Sequence, residues 1–109
     1  MDIQVEKHGD VVVVRLIGRL DSFTSPKVDS QLRALIVQNK KIVLNFSDLD
    51  YISSAGVRLI LSASKKLELD KGKLVICCVN ENVLEVIKLT GFDQILKIYN
   101  SEIESISCF

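Results

Sequence analysis

Two adjacent serines, Ser53 and Ser54, stand between an apolar segment and an amphipathic one, and they are the residues best placed to do chemistry. Residues 41–46 predict a strand, and the spacing of apolar residues over 54–69 predicts a helix. The first turn of a helix has unpaired backbone N–H groups and the positive end of the helix dipole, which together favour a phosphate. Ser54 therefore has two interpretations: a helix cap, which is the commoner role of such a serine, or a site of covalent modification.

Catalysis by these serines is not indicated. A serine nucleophile on a strand-to-helix turn needs the pattern Gly-x-Ser-x-Gly, whereas Ile52 stands two residues before Ser54. The nucleophile also needs a base, and His8, the single histidine, lies in the first predicted hairpin turn, at the opposite end of its strands. We therefore expect no catalytic residue and no enzyme activity.

Motifs for cofactors and metals are also missing. The chain contains neither Gly-x-x-x-x-Gly-Lys nor Gly-x-Gly-x-x-Gly, and a structural zinc site needs four spaced ligands. Asp21, Asp48 and Asp50 could converge on a hard cation, but carboxylates at such positions are more commonly turn residues. We expect no cofactor and no bound metal.

Length and charge indicate one globular domain, residues 1–109, that acts through local contacts. Apolar residues make up 48% of the chain and charged residues 26%, which is typical of a folded domain. The formal net charge is zero, so no general electrostatic attraction draws the chain to nucleic acid or to an anionic membrane. The expected partner is another protein or a small ligand.

The cysteines and the apolar runs predict a cytoplasmic protein. Cys77, Cys78 and Cys108 are odd in number, and two of them are adjacent in an apolar stretch, which does not suit a disulfide framework and suits a reducing compartment. The N-terminal residues do not resemble a signal peptide, and the apolar runs, such as residues 11–14, are no longer than a strand. We expect no membrane insertion.

The order of predicted elements is that of an α/β fold. Residues 3–7 and 11–17 predict a β-hairpin, and Ser25 and Pro26 predict the start of a helix. The later elements are a strand at 41–46, a helix at 54–69, a strand at 74–79, a helix capped by Asn80 and ended by Gly91, a strand at 95–98 and a terminal helix at 101–107.

This alternation predicts a mixed, mostly parallel sheet with an N-terminal β-hairpin and right-handed crossovers. Loops that follow parallel strands gather at the carboxyl ends of those strands, where binding sites usually lie. We therefore expect three loops, residues 19–25, 47–53 and 80–81, to lie at one edge of the sheet, with Ser54 at the end of the middle loop.

Two segments carry motifs of a known family. Residues 18–24, Gly-Arg-Leu-Asp-Ser-Phe-Thr, are similar to a Gly-x-Leu/Ile-Asp-x-x-Thr pattern at a first helix, and residues 44–57 are similar to a strand followed by a phosphorylation turn. In this order and at this separation they resemble the STAS domain, named for sulfate transporters and anti-sigma factor antagonists, and most closely its stand-alone antagonist branch. The resemblance covers nearly the whole chain.

The resemblance implies regulation by partner switching. The unphosphorylated antagonist binds an anti-sigma factor that is often also a serine kinase; the kinase phosphorylates one serine of the turn, and a phosphatase removes the phosphate. In the family motif Asp-Ser-Ser/Thr/Ala-Gly the modified serine follows the aspartate, and that position is Ser54 here. Ser53 replaces the aspartate and could cap the helix in its place. Arg58 replaces a glycine often found two positions after Gly56; it is either a solvated helix residue, which is the commoner case, or a cation that pairs with the phosphate. Ser53 is the less favoured alternative phosphoacceptor.

The resemblance also implies a partner-binding surface, formed by Asp21, Ser22, Thr24, Ser53, Ser54, Ala55, Gly56 and Arg58. Two functions follow from it. The preferred one is an anti-sigma factor antagonist controlled at Ser54. The alternative is a phosphorylation-independent scaffold subunit of a transporter or signalling assembly, and a nucleotide-binding module ranks last because the chain lacks a phosphate loop.

Overall fold

Six strands form one mixed sheet, and helices pack on both of its faces. The computed structural model describes residues 1–109. Its strands are β1 (Asp2–His8), β2 (Val11–Leu20), β3 (Lys41–Asn45), β4 (Leu49–Ile52), β5 (Lys73–Cys77) and β6 (Ile98–Tyr99). Its helices are α1 (Ser25–Gln38), α2 (Ser54–Leu69), α3 (Glu81–Thr90) and α4 (Glu102–Ser107), with a 3-10 turn at Phe92–Gln94.

The strand order is β1-β2-β3-β5-β6, and β4 pairs with the end of β2. Strands β1 and β2 are antiparallel, and His8 pairs with Val11. Gly9, in the tight turn between them, has a φ of 66°. All other pairs are parallel. The predicted α/β class, with an N-terminal hairpin on a mostly parallel sheet, is confirmed.

The two faces of the sheet are covered unequally. One face and helices α1, α2 and α3 enclose a core of 22 buried residues, in which Phe46 is the largest side chain. The other face carries a smaller cluster of 5 buried residues, covered by side chains of α4 and of the residues after it. Strands β2, β3 and β5 are therefore buried on both faces, which explains their nearly continuous apolar sequences.

Several predicted boundaries are confirmed. Helix α2 spans Ser54–Leu69, as the apolar spacing predicts. Asn80 caps α3, and Gly91 ends it in the left-handed conformation with a φ of 80°. The terminal helix is also present, as α4.

The loop predicted at residues 47–53 was wrong, because it contains strand β4. This strand runs parallel to the last residues of β2, and its register shifts between Gly18 and Arg19, so that β4 has one extra residue. The bulge separates the two buried residues of β4, Leu49 and Ile52, by two exposed ones. The alternation of apolar and polar residues that marks a half-buried strand is therefore absent from the sequence.

Two other strand predictions were wrong in position. The last strand is Ile98–Tyr99 rather than residues 95–98, because the 3-10 turn extends the loop and leaves Ile95 exposed. Strand β5 ends at Cys77 rather than at Val79, because Cys78 has a φ of 63° and turns the chain out of the sheet.

Gly56 lies where α2 approaches β2 and β4 most closely. A Cβ at this position would be 2.9 Å from Leu20 Cγ, 3.0 Å from Ile52 Cγ1 and 3.0 Å from the Leu20 carbonyl oxygen. These distances are shorter than carbon contacts allow, and both side chains belong to the buried core.

We expect Gly56→Ala to lower the free energy of unfolding by about 1–3 kcal/mol, because α2 must move away from the sheet. Urea denaturation measures this loss. Ser62→Ala, at an exposed position of the same helix, is the control and should change stability by less than about 0.5 kcal/mol. An unchanged unfolding midpoint for Gly56→Ala would show that the close approach is not a constraint.

Candidate functional site

The pairing of β4 with β2 places the Asp21 segment beside the Ser54 segment. The Ser53 amide donates a hydrogen bond of 2.8 Å to the Leu20 carbonyl, and the Gly18 amide donates one of 3.0 Å to the Asp48 carbonyl. The residue before Asp21 is therefore bonded directly to the residue before Ser54. The structure brings these two segments together at the carboxyl end of β2.

Residues 21–24 form a turn that is closed by its own side chains; it is shorter than the predicted loop 19–25, because β2 continues to Leu20 and α1 begins at Ser25. One carboxylate oxygen of Asp21 accepts hydrogen bonds from the amides of Phe23 (2.9 Å) and Thr24 (3.1 Å). The Thr24 hydroxyl donates to the Arg19 carbonyl at 2.7 Å and accepts from the Asp21 amide at 3.0 Å. Asp21 and Thr24 therefore close the turn, each by side-chain hydrogen bonds to its backbone.

The predicted cap at Ser25 was wrong. The cap position of α1 is Thr24, whose side chain makes no capping hydrogen bond, and Ser25 is the first helical residue. The Ser25 hydroxyl instead donates to the Asp21 carbonyl at 2.6 Å, which ties the start of the helix back to the turn.

The turn presents an exposed aromatic side chain, that of Phe23. Its relative exposure is 92%, which is unusual for a large apolar residue. Phe23 is not among the binding residues expected from the sequence, although the Asp-x-x-Thr pattern contains a signal for it. When the side chains of Asp21 and Thr24 each accept a hydrogen bond from the other residue's amide, the residues between them face outward. A rigid turn that carries an exposed aromatic ring is a typical anchor for a protein partner.

The two adjacent serines have different roles in the fold. The Ser53 hydroxyl caps α2, since it accepts a hydrogen bond of 3.2 Å from the Gly56 amide. Ser54 is the first helical residue; its side chain is exposed, and its hydroxyl makes no hydrogen bond within the chain. Of the two interpretations of Ser54, the cap was wrong, because Ser53 performs that function.

Strand β4 is fixed from its other side by α3. The Asn80 side chain donates a hydrogen bond of 2.8 Å to the Leu49 carbonyl and accepts one of 2.8 Å from the Val83 amide. On the outer surface the Arg19 guanidinium lies 4.3 Å from the centre of the Tyr51 ring, a cation–π contact. The strand that leads to Ser54 is therefore held by backbone bonds, by α3 and by Arg19.

The residues expected at the partner-binding surface divide by exposure. Those with exposed side chains are Ser22, Ser54 and Arg58. Those that are half-buried are Asp21, Thr24, Ser53 and Ala55. Gly56 is buried and allows α2 to pack closely on the sheet; as a glycine it has no side chain that could contact a partner.

Two of the aspartates considered as cation ligands, Asp21 and Asp48, have other partners. Asp21 bonds within its own turn, and Asp48 lies 3.5 Å from Arg15, which is also 3.9 Å from Glu102. No group of three or more His, Cys, Asp or Glu side chains is arranged to hold a metal ion. The structure does not bring Asp21, Asp48 and Asp50 together as a cation site.

The three cysteines lie in or against the smaller apolar cluster. All three are free, and Cys77 is fully buried in the smaller apolar cluster. Burial raises the pKa of the Cys77 thiol to about 12, so the thiol stays protonated at neutral pH.

None of the helices combines the length and the apolar character needed to cross a membrane.

Residues 2–105 match the STAS domain family. The chain belongs to this family. The match runs from the first residue of β1 into α4 and includes both the Asp21 turn and the Ser53–Ser54 turn. The STAS resemblance of these two segments, noted from the sequence, is confirmed.

Several proteins of similar sequence and fold are anti-sigma factor antagonists. An anti-sigma F factor antagonist of Paenibacillus polymyxa is 32% identical over 109 residues, which cover 98% of this chain and 93% of that protein. The crystal structure of an anti-sigma factor antagonist from Mycobacterium paratuberculosis shares the fold with a TM-score of 0.90 at 21% identity, covering 98% of this chain and 92% of that one. The anti-sigma factor antagonist SpoIIAA in its unphosphorylated form has a TM-score of 0.80 at 27% identity, covering 96% and 93%. A phosphorylated form of Bacillus SpoIIAA gives 0.73 at 26% identity, covering 97% of each chain.

The charge of Asp21 makes the stability of its turn depend on pH. Hydrogen bonds from backbone amides, first that of Thr24, hold the pKa of the Asp21 carboxyl below its usual value. A carboxyl whose pKa is lower in the folded chain stabilises the fold above its unfolded pKa, and this contribution is lost as the pH falls through the folded pKa.

We expect the free energy of unfolding of the wild type to fall more steeply than that of Asp21→Asn between about pH 5 and about pH 2, because asparagine keeps the acceptor oxygen without the charge. Urea denaturation at several pH values measures both slopes. Ser22→Ala, in the same turn, is the control and should follow the wild type. Equal slopes for Asp21→Asn and wild type would contradict the assignment.

Proposed function

We propose that the chain is a non-enzymatic anti-sigma factor antagonist that binds a kinase-type anti-sigma factor and is controlled by reversible phosphorylation of Ser54. The observation that carries the proposal is the separation of roles in the turn: Ser53 caps α2, which leaves the Ser54 hydroxyl exposed and unbonded beside the Asp21 turn. The antagonists among its relatives support the class of partner.

The proposed cycle takes place in the cytoplasm, and in it the anti-sigma factor exchanges one partner, the sigma factor, for another, this chain. The unphosphorylated chain binds the anti-sigma factor and frees a sigma factor. The kinase then transfers the γ-phosphoryl group of ATP: the bond to ADP breaks, a bond to Ser54 Oγ forms, and the hydroxyl proton leaves to a base of the kinase. A phosphatase hydrolyses the phosphoserine. The chain itself needs no cofactor and contacts no nucleic acid.

The position of Ser54 explains how phosphorylation could act on binding without unfolding the domain. A phosphate adds about −1.5 to −2 charges and three acceptor oxygens. At the first position of α2 the helix dipole favours this charge, and the capping bond belongs to Ser53 and is kept. A partner seated over the turn would have to strip water from the dianion, which is costly. The fold tolerates the modification, and the interface does not.

The proposed docking surface has an aromatic centre and polar surroundings. Phe23 projects from the Asp21 turn, Tyr51 lies on the neighbouring strand β4 under Arg19, and Ser54 begins the adjacent helix. Energetic hot spots in protein interfaces are enriched in aromatic residues and arginine. Phe23 is the residue expected to contribute most, because almost all of its surface is available for burial.

The first test of the proposal uses the cognate kinase and ATP, followed by intact mass and peptide mapping. We expect one phosphate, on Ser54, and none in Ser54→Ala. Ser54→Asp should weaken binding of the anti-sigma factor by about 10-fold or more, because it places a charge in the interface. Ser107→Asp, at the exposed end of α4 on the other face of the sheet, is the control and should bind as the wild type does.

Three outcomes would count against the proposal. A phosphate on Ser53 would overturn the assignment of the modified residue. No phosphate on Ser54, together with unchanged binding of Ser54→Asp, would support the scaffold alternative. Retention by a transporter rather than by a kinase in a pull-down would support that alternative as well.

A second test concerns the aromatic anchor. We expect Phe23→Ala to weaken binding of the unphosphorylated chain by about 10- to 100-fold, because the ring is exposed in the free chain and buried in the complex. Isothermal titration calorimetry measures the affinity, and thermal unfolding checks that the fold is intact. Leu89→Ala removes another exposed apolar side chain, 80% exposed on α3, and should leave the affinity unchanged. Equal effects of the two variants would contradict the proposed position of the interface.

A further inference from the structure

Arg58 lies one helical turn after Ser54 on α2 and has no anionic partner. Its side chain is exposed, and it takes part in none of the ion pairs of the structure. Arg15 and Arg33, by contrast, both pair with aspartates. Arg58 is thus an unpaired cation close to the proposed phosphorylation site.

The sequence of α2 offers Arg58 no carboxylate on its own face. Residues three and four positions away on a helix are its surface neighbours, and for Arg58 these are Ser54, Ala55, Leu61 and Ser62. None of them is acidic. Long side chains on a helix lean toward its N-terminus, so Arg58 covers the turn that contains Ser54.

We propose that the guanidinium of Arg58 binds the phosphate of phosphorylated Ser54 within the same chain. This inference rests on the proposed modification of Ser54 and adds its structural consequence. A guanidinium presents several N–H donors in a planar fork that matches two phosphate oxygens, and such charge-assisted pairs are among the stronger hydrogen bonds of proteins. The pair also has the i, i+4 spacing at which helix side chains interact.

The pairing gives phosphorylation two effects on the docking surface. It adds an anion at Ser54, and it also engages a cation, Arg58, that is free in the unphosphorylated chain. A partner with acidic groups opposite Arg58 would lose an attraction at the same time as it meets a repulsion. The change in electrostatic potential is therefore largest for an acidic partner surface.

The test uses chain with phosphoserine placed at position 54 by genetic encoding, so that no kinase is needed. Thermal unfolding is measured for wild type and Arg58→Gln, each with and without the phosphate. In each protein the phosphate effect is the change in melting temperature that phosphorylation causes. The interaction of the phosphate with the N-terminus of α2 is the same in both proteins, so the difference between the two changes reports the contact between Arg58 and the phosphate. We expect the phosphate to raise the melting temperature by about 2–4 °C more in the wild type than in Arg58→Gln.

Lys65→Gln is the matched control, since it removes one positive charge from an exposed position further along α2. In Lys65→Gln the phosphate on Ser54 should change the melting temperature by as much as it does in the wild type. The Arg58 side-chain Nε–H resonance provides a direct readout and should shift when the phosphate is present. Equal phosphate effects in wild type and Arg58→Gln, with an unshifted Nε–H resonance, would overturn the inference. Failure of a kinase to modify Ser54 would instead count against the proposed function alone.

Discussion

The pairing of β4 with the last residues of β2 is the constraint on which the candidate site depends. Strand β2 runs through the core and ends at Leu20, which is fully buried and whose carbonyl accepts the Ser53 amide. Because one strand end holds both turns, the Asp21 turn and the Ser53–Ser54 turn cannot move independently without breaking core contacts. Gly56 extends this constraint into α2, since only a residue without a Cβ allows the helix to approach Leu20.

Within the site, supporting residues and presented residues alternate along the chain. Asp21 and Thr24 close one turn by bonding to its backbone and thereby expose Phe23. Ser53 caps α2 and thereby leaves Ser54 free. In both turns a polar side chain uses its hydrogen bonds for the backbone, and the neighbouring residue faces solvent. This arrangement allows the surface chemistry to change, by burial of a ring or addition of a phosphate, while the hydrogen bonds that hold the turns stay intact.

Sequence patterns predicted the parts of the fold that rest on local signals. The bounds of α2 follow from a regular apolar spacing and a serine cap, and the fold class follows from the order of elements. Strand β4 could not be predicted, because a bulge removes its alternation and its partner is distant in sequence. The exposure of Phe23 depends on the side-chain hydrogen bonds that close the turn between β2 and α1. From the sequence alone, a phenylalanine is more often expected in the buried core. The apolar spacing places the start of α2 at Ser54, but which of the adjacent serines accepts the capping hydrogen bond depends on side-chain geometry that the spacing does not give.

The central claim is that the two turns form one docking surface that a phosphate on Ser54 closes. Hydrogen–deuterium exchange of the chain with its anti-sigma factor partner tests it most directly. We expect slower exchange in peptides covering residues 19–25 and 53–58 when the partner is added to the unphosphorylated chain, and no change when it is added to chain phosphorylated at Ser54. Slower exchange confined to β1 or α4, or the same protection in both forms of the chain, would contradict it.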